Sequence, residues 1–311
     1  MKIIIELPTW LGDSVMATPA IDNLVCFFQN PEITLIGSFV SIETLKNHPS
    51  VKKTYIFERN YLKLFHLINS FEDFDLFLSF RSSVRSNILK LLIPSKRKYQ
   101  FNKKLFKKGH QVERYNNFVN YCLKINTNPN KLIVHSTKKN KKNKTKFLGI
   151  NPGATYGSSK RWYPREFAKV ATELSNQYDI IIFGGHNETD IAMDIERYLI
   201  ENGINNYENL AAKTSISELV DKISTLDLFI TGDSGPMHLA AAFEIPTISI
   251  FGPTNEKNTS QWMSQNSTII KNNLICQPCM KRKCPLDHHK CMKEVKARDV
   301  LNEIDKLNLP R

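Results

Sequence analysis

The chain has 311 residues, 41% of them apolar and 10% aromatic, which excludes a disordered polymer and implies about two domains of roughly 150 residues each. A formal charge of +13 favours polyanionic partners such as nucleic acid, anionic lipid headgroups or phosphorylated sugars. No apolar run approaches the roughly 18 residues of a membrane-crossing helix, and Lys2-Ile3-Ile4-Ile5 is cut short by Glu6 and Pro8, so a cytoplasmic chain with neither a span nor a signal peptide is expected.

Met1 to Leu7 is a short β-branched run suited to a buried strand, and a helical pattern follows from Ser14 to Phe28 after the loop Pro8 to Asp13. Ile33 to Ile36 and Phe74 to Ser79 read as further strands. Two lysine clusters come next. The first in sequence holds Lys96, Arg97, Lys98, Lys103, Lys104, Lys107 and Lys108, interleaved with Tyr99, Phe101, Leu105 and Phe106 that anchor the charges as a binding surface. The second places six lysines within Thr137 to Lys146 with almost nothing apolar, the composition of a solvated linker.

Beyond that linker the same alternation restarts. Phe147 to Asn151, Asp179 to Phe183, Leu228 to Thr231 and Thr247 to Phe251 read as strands. Pro164 to Asn176, Ser217 to Ser224 and Gly235 to Phe243 read as helices. Three of these strands end in Gly184-Gly185, Gly232-Asp233 and Gly252-Pro253, and ligands in open α/β sheets bind beyond the carboxyl ends of strands. The expected organisation is a first α/β domain over 1–136, a Lys-rich linker over 137–146 and a second α/β domain over 147–311. The second includes a Cys-rich segment at 276–291 and a C-terminal helix able to pack back on the first domain. The two doubly wound parallel sheets are expected to face each other across a cleft.

Three loops carry chemistry. Asn151-Pro152-Gly153-Ala154-Thr155-Tyr156-Gly157-Ser158-Ser159-Lys160-Arg161-Trp162 combines small residues, which let backbone amides approach an anion, with two cations. It lacks the GxxxxGK[ST] spacing of a P-loop, and an ordinary strand-to-helix loop explains it equally well when taken alone. In Gly232-Asp233-Ser234-Gly235-Pro236-Met237-His238, a strand becomes a helix with Pro236 in its first turn, so free N–H groups and the positive dipole end face a ligand. Capping by Asp233 or Ser234 is compatible with that use. Asp13 follows the first strand. It reads as a helix N-cap in isolation, and as a candidate general base when set beside the two phosphate-like loops.

Together, Leu7-Pro8-Thr9-Trp10-Leu11-Gly12-Asp13-Ser14-Val15-Met16, the Pro152-Gly153-Ala154 loop ending in Lys160-Arg161-Trp162, and Gly232 to Ala241 resemble the ADP-heptose:lipopolysaccharide heptosyltransferases, glycosyltransferase family 9. They look most like the heptosyltransferase II members, which add the second inner-core heptose. The resemblance implies a GT-B fold of two Rossmann-like domains, with acceptor on the first and ADP-sugar on the second. It also implies an inverting transfer with no cofactor and no metal. By position in these motifs, Asp13 matches the catalytic base, and Gly153, Lys160, Arg161, Glu188, Asp233, Ser234, Gly235 and His238 fall to the donor. Asn209 to Thr214 is placed near the nucleotide by family position only. The implied acceptor is a Kdo- and heptose-bearing lipid A at the inner face of the inner membrane, and Lys103, Lys104, Lys107 and Lys108 are candidates to meet its anionic groups.

Cys276, Cys279, Cys284 and Cys291, with His288 and His289, form a compact Cys-rich segment whose CxxC half has zinc-ligand spacing. Six residues separate Cys284 from Cys291, so a structural knot, metal-bound or simply reduced, is expected, and no catalytic metal. Cys26 and Cys122 read as single apolar core positions. Three rival readings remain: a family member with another acceptor (heptosyltransferase I or III), a non-catalytic sugar-nucleotide binder, and a basic nucleic-acid-binding protein. The last finds no helix-turn-helix or RNP signature in the chain and leaves the Gly232 loop without a purpose.

Overall fold

The computed structural model describes residues 1–57, 66–138, 145–307 and 309. The chain divides into two compact units, Met1–Thr137 and Lys138–Arg311. Of the lysine linker, Lys139, Lys141, Lys142 and Lys144 lie outside the described residues.

In the first unit β1 (Lys2–Glu6), β2 (Glu32–Gly37), β3 (Val51–Ile56), β4 (Phe74–Ser79) and β5 (Ser95–Gln100) form one sheet in the order β3-β2-β1-β4-β5. All of its pairings are parallel. Ile3, Ile4 and Ile5 are fully buried because a parallel sheet covered on both faces needs apolar side chains on both. Helices α1 (Leu11–Met16), α2 (Thr18–Phe27), α3 (Phe39–Leu45), α4 (Val84–Leu92) and α5 (Gln111–Leu123) supply the cover. One face packs Ile4, Ile36, Phe74 and Phe77 against Leu89 and Ile93. An edge-to-face aromatic cluster of Phe80, Phe101, Tyr115 and Phe118 seats α5 beside the ends of β4 and β5.

Two expectations change here. The helix expected over Ser14 to Phe28 begins earlier and is divided at Ala17, because Pro19 has no N–H to give and the Thr18 hydroxyl bonds Val15 O at 2.7 Å instead. The cluster from Lys96 to Lys108 is likewise two structures: the edge strand β5, and an exposed loop that carries Lys103, Lys104, Lys107 and Lys108.

In the second unit β6 (Phe147–Asn151), β7 (Asp179–Ile182), β8 (Tyr207–Asn209), β9 (Leu228–Gly232), β10 (Thr247–Phe251) and β11 (Ser267–Lys271) run parallel in the order β11-β10-β9-β6-β7-β8. Between them lie α6 (Pro164–Leu174), α7 (Thr189–Glu201), α8 (Ile216–Ile223), α9 (Gly235–Ala242) and the short α10 (Glu256–Thr259). The chain closes with α11 (Lys290–Lys293) and α12 (Ala297–Lys306). This C-terminal helix, read above as able to pack back on the first domain, packs on α6, β10 and β11 of its own unit. Val300 and Ile304 join the core there with Trp162 and Phe167. The Trp162 indole donates to Val295 O at 2.9 Å and ties the end of the β6 loop to the approach to α12.

Candidate active site

Both sheets are wound outward from their first strand, so each has one point where the strand order reverses: between β1 and β4 in the first unit, and between β6 and β9 in the second. Ligands in open α/β sheets bind beyond the carboxyl ends of the strands at such a point. The Asn151–Trp162 loop follows β6 and Gly232-Asp233-Ser234 follows β9, so the two loops singled out in the sequence meet there.

Their meeting is polar and tight. Lys160 Nζ lies 2.5 Å from Asp233 Oδ2 and 3.2 Å from Asp233 O, and both side chains are almost wholly enclosed, at 12% and 6% exposure. Thr254, from the loop after β10, donates its hydroxyl to the same Asp233 oxygen at 2.6 Å. Asn151 Nδ2 reaches Ser234 Oγ (3.2 Å) and Gly153 O (3.3 Å), and Ser234 Oγ lies 3.0 Å from Thr231 Oγ1. Ser234 is the N-cap residue of α9, yet its hydroxyl is turned to Asn151 and Thr231 and makes no cap hydrogen bond. The first-turn amides of this eight-residue helix, starting at Gly235, therefore face the crevice without a side-chain cap, beside a lysine whose partner carboxylate fixes its position. Such an arrangement suits a phosphate group. The Lys160 ammonium also lies 4.7 Å from the Tyr156 ring centre. His238 sits one turn into α9 and is buried.

The second feature pairs Gly153 with Glu188. A methyl group at position 153 would overlap the Glu188 carboxyl, so only glycine allows that carboxylate to lie against the β6 loop. Gly185 N–H donates to Glu188 Oε2 at 2.8 Å and holds it there. Arg161 Nη2 reaches Asn187 O at 3.3 Å, which closes the same corner. The Asn209–Thr214 turn also packs onto it, since Ala212 N–H bonds Gly184 O at 2.9 Å. Gly153, Arg161 and Glu188 thus form one side of the crevice, and Lys160, Asp233, Ser234 and Gly235 the other. Sequence reasoning placed Asn151 in the first loop without giving it a role, and missed Thr231 and Thr254. The available signal was a polar residue at or near the end of the apolar segments of β6 and β9, and a threonine just past Gly252-Pro253 in the loop after β10.

The Cys-rich segment braces the same loop. Ser159 donates to Lys281 O at 2.6 Å, Tyr156 to Met280 O at 2.8 Å, and His289 Nε2 pairs with Ser159 O at 2.9 Å. Gly157 lies so close to Arg282 O that no side chain fits between them. Cys276, Cys279, Cys284 and Cys291 are free thiols that line one small cavity with His288 and His289. Burial, reinforced by the neighbouring thiols, pushes Cys291 up to about 11. Among the described residues no three His, Cys, Asp or Glu side chains are arranged to hold a metal ion. Cys122 is a core position, with its thiol pushed up to about 12 by burial. Cys26, read as core, is exposed: the last turn of α2 rolls it out of the apolar face.

In the first unit Asp13 is the third residue of α1, whose N-cap is Trp10, so Asp13 is not the cap considered above. Its carboxylate is half-buried and hydrogen-bonded by the buried Tyr115 hydroxyl, whose ionisation burial and the Asp13 charge push well above the usual range. At the ends of β1 and β4, the buried Glu6 accepts from Ser79 (2.5 Å) and Ser86 (2.9 Å) and lies 3.5 Å from Arg81. Burial nonetheless raises its pKa above the usual carboxylate value. Lys103, Lys104, Lys107 and Lys108 are exposed on the loop between β5 and α5.

Relatives agree with this architecture. The chain is 41% identical, over the full length of both proteins, to lipooligosaccharide heptosyltransferase 2 of Campylobacter jejuni. The solved structure of the Escherichia coli ADP-heptose lipopolysaccharide heptosyltransferase II superposes with a TM-score of 0.80 at 21% identity, covering 98% of each chain. An E. coli heptosyltransferase solved with ADP superposes with a TM-score of 0.78 at 15% identity, covering 98% of this chain and 99% of its own. The fold is therefore GT-B, as the loop motifs implied. Residues 72–290 match the model of glycosyltransferase family 9 (heptosyltransferase), and with the full-length relative at 41% identity this places the chain in that family of glycosyltransferases.

Proposed function

We propose that this glycosyltransferase moves L-glycero-D-manno-heptose from ADP-heptose to the heptose of the lipopolysaccharide inner core, the heptosyltransferase II reaction, with inversion at the anomeric carbon. The observation that carries the reading is full-length identity of 41% to the C. jejuni lipooligosaccharide heptosyltransferase 2. In this proposal Asp13 takes the proton from the acceptor hydroxyl as its oxygen bonds to the anomeric carbon. The bond from that carbon to the diphosphate breaks, and ADP leaves with the electron pair. Lys160 and the α9 amides at Ser234-Gly235 take up the charge that develops on the diphosphate, from positions already set before reaction. Glu188, with Gly153 and Arg161 at its side, holds the ribose. No metal takes part, because lysine and helix amides meet the diphosphate. Lys103, Lys104, Lys107 and Lys108 meet anionic groups of the Kdo- and heptose-bearing lipid A acceptor at the inner-membrane surface. No helix among the described residues is long and apolar enough to cross a membrane, which is consistent with peripheral contact.

Calorimetry with ADP, UDP and GDP, followed by transfer assays with ADP-heptose in EDTA, tests the reading. Acceptors with and without the first heptose distinguish heptosyltransferase II from I. Selective ADP binding and transfer to the heptosylated acceptor are expected. Asp13→Asn should lose roughly 10²- to 10⁴-fold in kcat while keeping its ADP affinity. Loss of ADP affinity in that variant assigns Asp13 a structural role and refutes the base assignment.

A further inference from the structure

Helix α4 is amphipathic the wrong way round for a helix buried in its own domain. Leu89 is fully buried against the sheet, and Ile93, just past the helix end, joins it there. The opposite face exposes Val84 (78%), Ile88, Leu91 (77%) and Leu92, spaced i, i+4, i+7 and i+8, so one continuous apolar stripe faces outward. On the neighbouring edge strand β5, Lys96 and Lys98 share the face that α4 covers, while Arg97 turns to the other face towards the Phe28 ring. Lys96 pairs with Asp75 at 2.8 Å, and Lys98 donates to Leu91 O at 3.1 Å, which sets a cation at the end of the stripe. Leu105 is a further exposed apolar residue, on the lysine-bearing loop after β5. From residue 76 to residue 112 the chain has ten lysines and arginines and not one aspartate or glutamate.

An exposed apolar stripe without cations would fit a second protein chain, and cations without a stripe would fit any polyanion. The combination fits a surface that is apolar beneath and anionic above, where an amphipathic helix sinks its apolar face to the acyl boundary and flanking lysines meet the headgroups. We infer that α4, with the cations of β5 and the loop after it, docks the first unit on an anionic lipid bilayer. The inference deepens the membrane-surface part of the proposed function. Vesicle binding is measured without sugar substrates, and turnover on a delipidated acceptor without vesicles, so either reading fails separately.

The test is sedimentation of the full chain with vesicles of phosphatidylethanolamine and phosphatidylglycerol, and with vesicles of phosphatidylcholine alone. The protein should pellet with the anionic vesicles, release with added salt, and bind the neutral ones weakly. The Val84→Glu/Leu91→Glu variant changes two outward-facing side chains. It should lose at least roughly tenfold in anionic-vesicle affinity, with melting temperature, ADP affinity and delipidated-acceptor turnover unchanged. Vesicle binding equal to wild type in that variant overturns the inference. So does a wild-type dimer that the variant splits while vesicle binding persists, which gives the stripe to a second copy. Tighter binding to duplex DNA than to vesicles, insensitive to the two glutamates, also overturns it and leaves a general polyanion surface.

Discussion

A single methyl group at Gly153 should separate donor binding from folding. In Gly153→Ala the new Cβ overlaps the Glu188 carboxyl, which is the far end of a flexible side chain and can rotate away. The backbone need not move, so the fold is retained with at most about 1 kcal/mol lost. The displaced carboxylate gives up the Gly185 N–H bond of 2.8 Å and the position from which it faces the crevice. The ribose hydroxyl of the proposed donor then loses its carboxylate acceptor, and a hydrogen bond to a charged group contributes about 1.5–3 kcal/mol, which converts to a loss of roughly 10- to 150-fold in ADP affinity. Calorimetry on the wild type, Gly153→Ala, Glu188→Ala and the double variant forms a complete cycle. If the methyl acts through Glu188, then in the Glu188→Ala background it has nothing left to displace and costs less than about 0.5 kcal/mol more. Fully additive losses, or a Gly153→Ala protein that binds ADP within about twofold of wild type, refute the reasoning.

Two further variants probe the buried charges. Lys160→Met leaves the Asp233 carboxylate enclosed with only the Thr254 hydroxyl among the contacts described above, so urea denaturation should show about 3 kcal/mol less stability. Lys160→Met/Asp233→Asn should recover most of that, while calorimetry shows ADP affinity lost in both. Glu6 has a folded-state pKa raised by burial above 4.5, so the native state holds its proton more tightly than the unfolded chain. That contribution is fully present below the unfolded value and fades as pH rises through the folded one. The stability of wild type relative to Glu6→Gln should therefore shrink as pH climbs above the unfolded value of 4.5, and a difference in urea midpoints that stays constant as pH rises contradicts it.

The chain's repeating strand-helix grammar, and with it two parallel sheets, was legible because central strands must be apolar on both faces. Ile3-Ile4-Ile5, Phe147 to Asn151 and Thr247 to Phe251 therefore stand out in the sequence and match their observed bounds closely. Edge strands carry no such signal. β3 (VKKTYI) and β5 (SKRKYQ) are held by backbone pairing on one side and expose lysines on the other, which also blunts the edge against foreign strands. β5 accordingly read as a charge cluster. The same limit applied to α2, where Cys26 read as core although the helix turns it outward.

For the site, sequence alone determined the Gly-bearing loops, because Pro152-Gly153 and Gly232 to Pro236 announce strand-to-helix turns through local backbone requirements. Only tertiary structure decided what those loops meet. Lys160 and Asp233 are 73 residues apart, and become an enclosed pair because β6 and β9 are neighbours in the sheet. Thr254 joins them because β10 adds next to β9. Glu188 needs Gly153 because β7 pairs with β6 and brings its following loop alongside. The Cys-rich segment, read from its spacing as a structural knot, metal-bound or simply reduced, braces the loop after β6 through Ser159 and Tyr156, contacts spanning more than 120 residues. A residue's own chemistry and its near neighbours set loop conformation, so those features are written locally. Which loop faces which follows from strand order, a property of the whole chain that no local pattern contains.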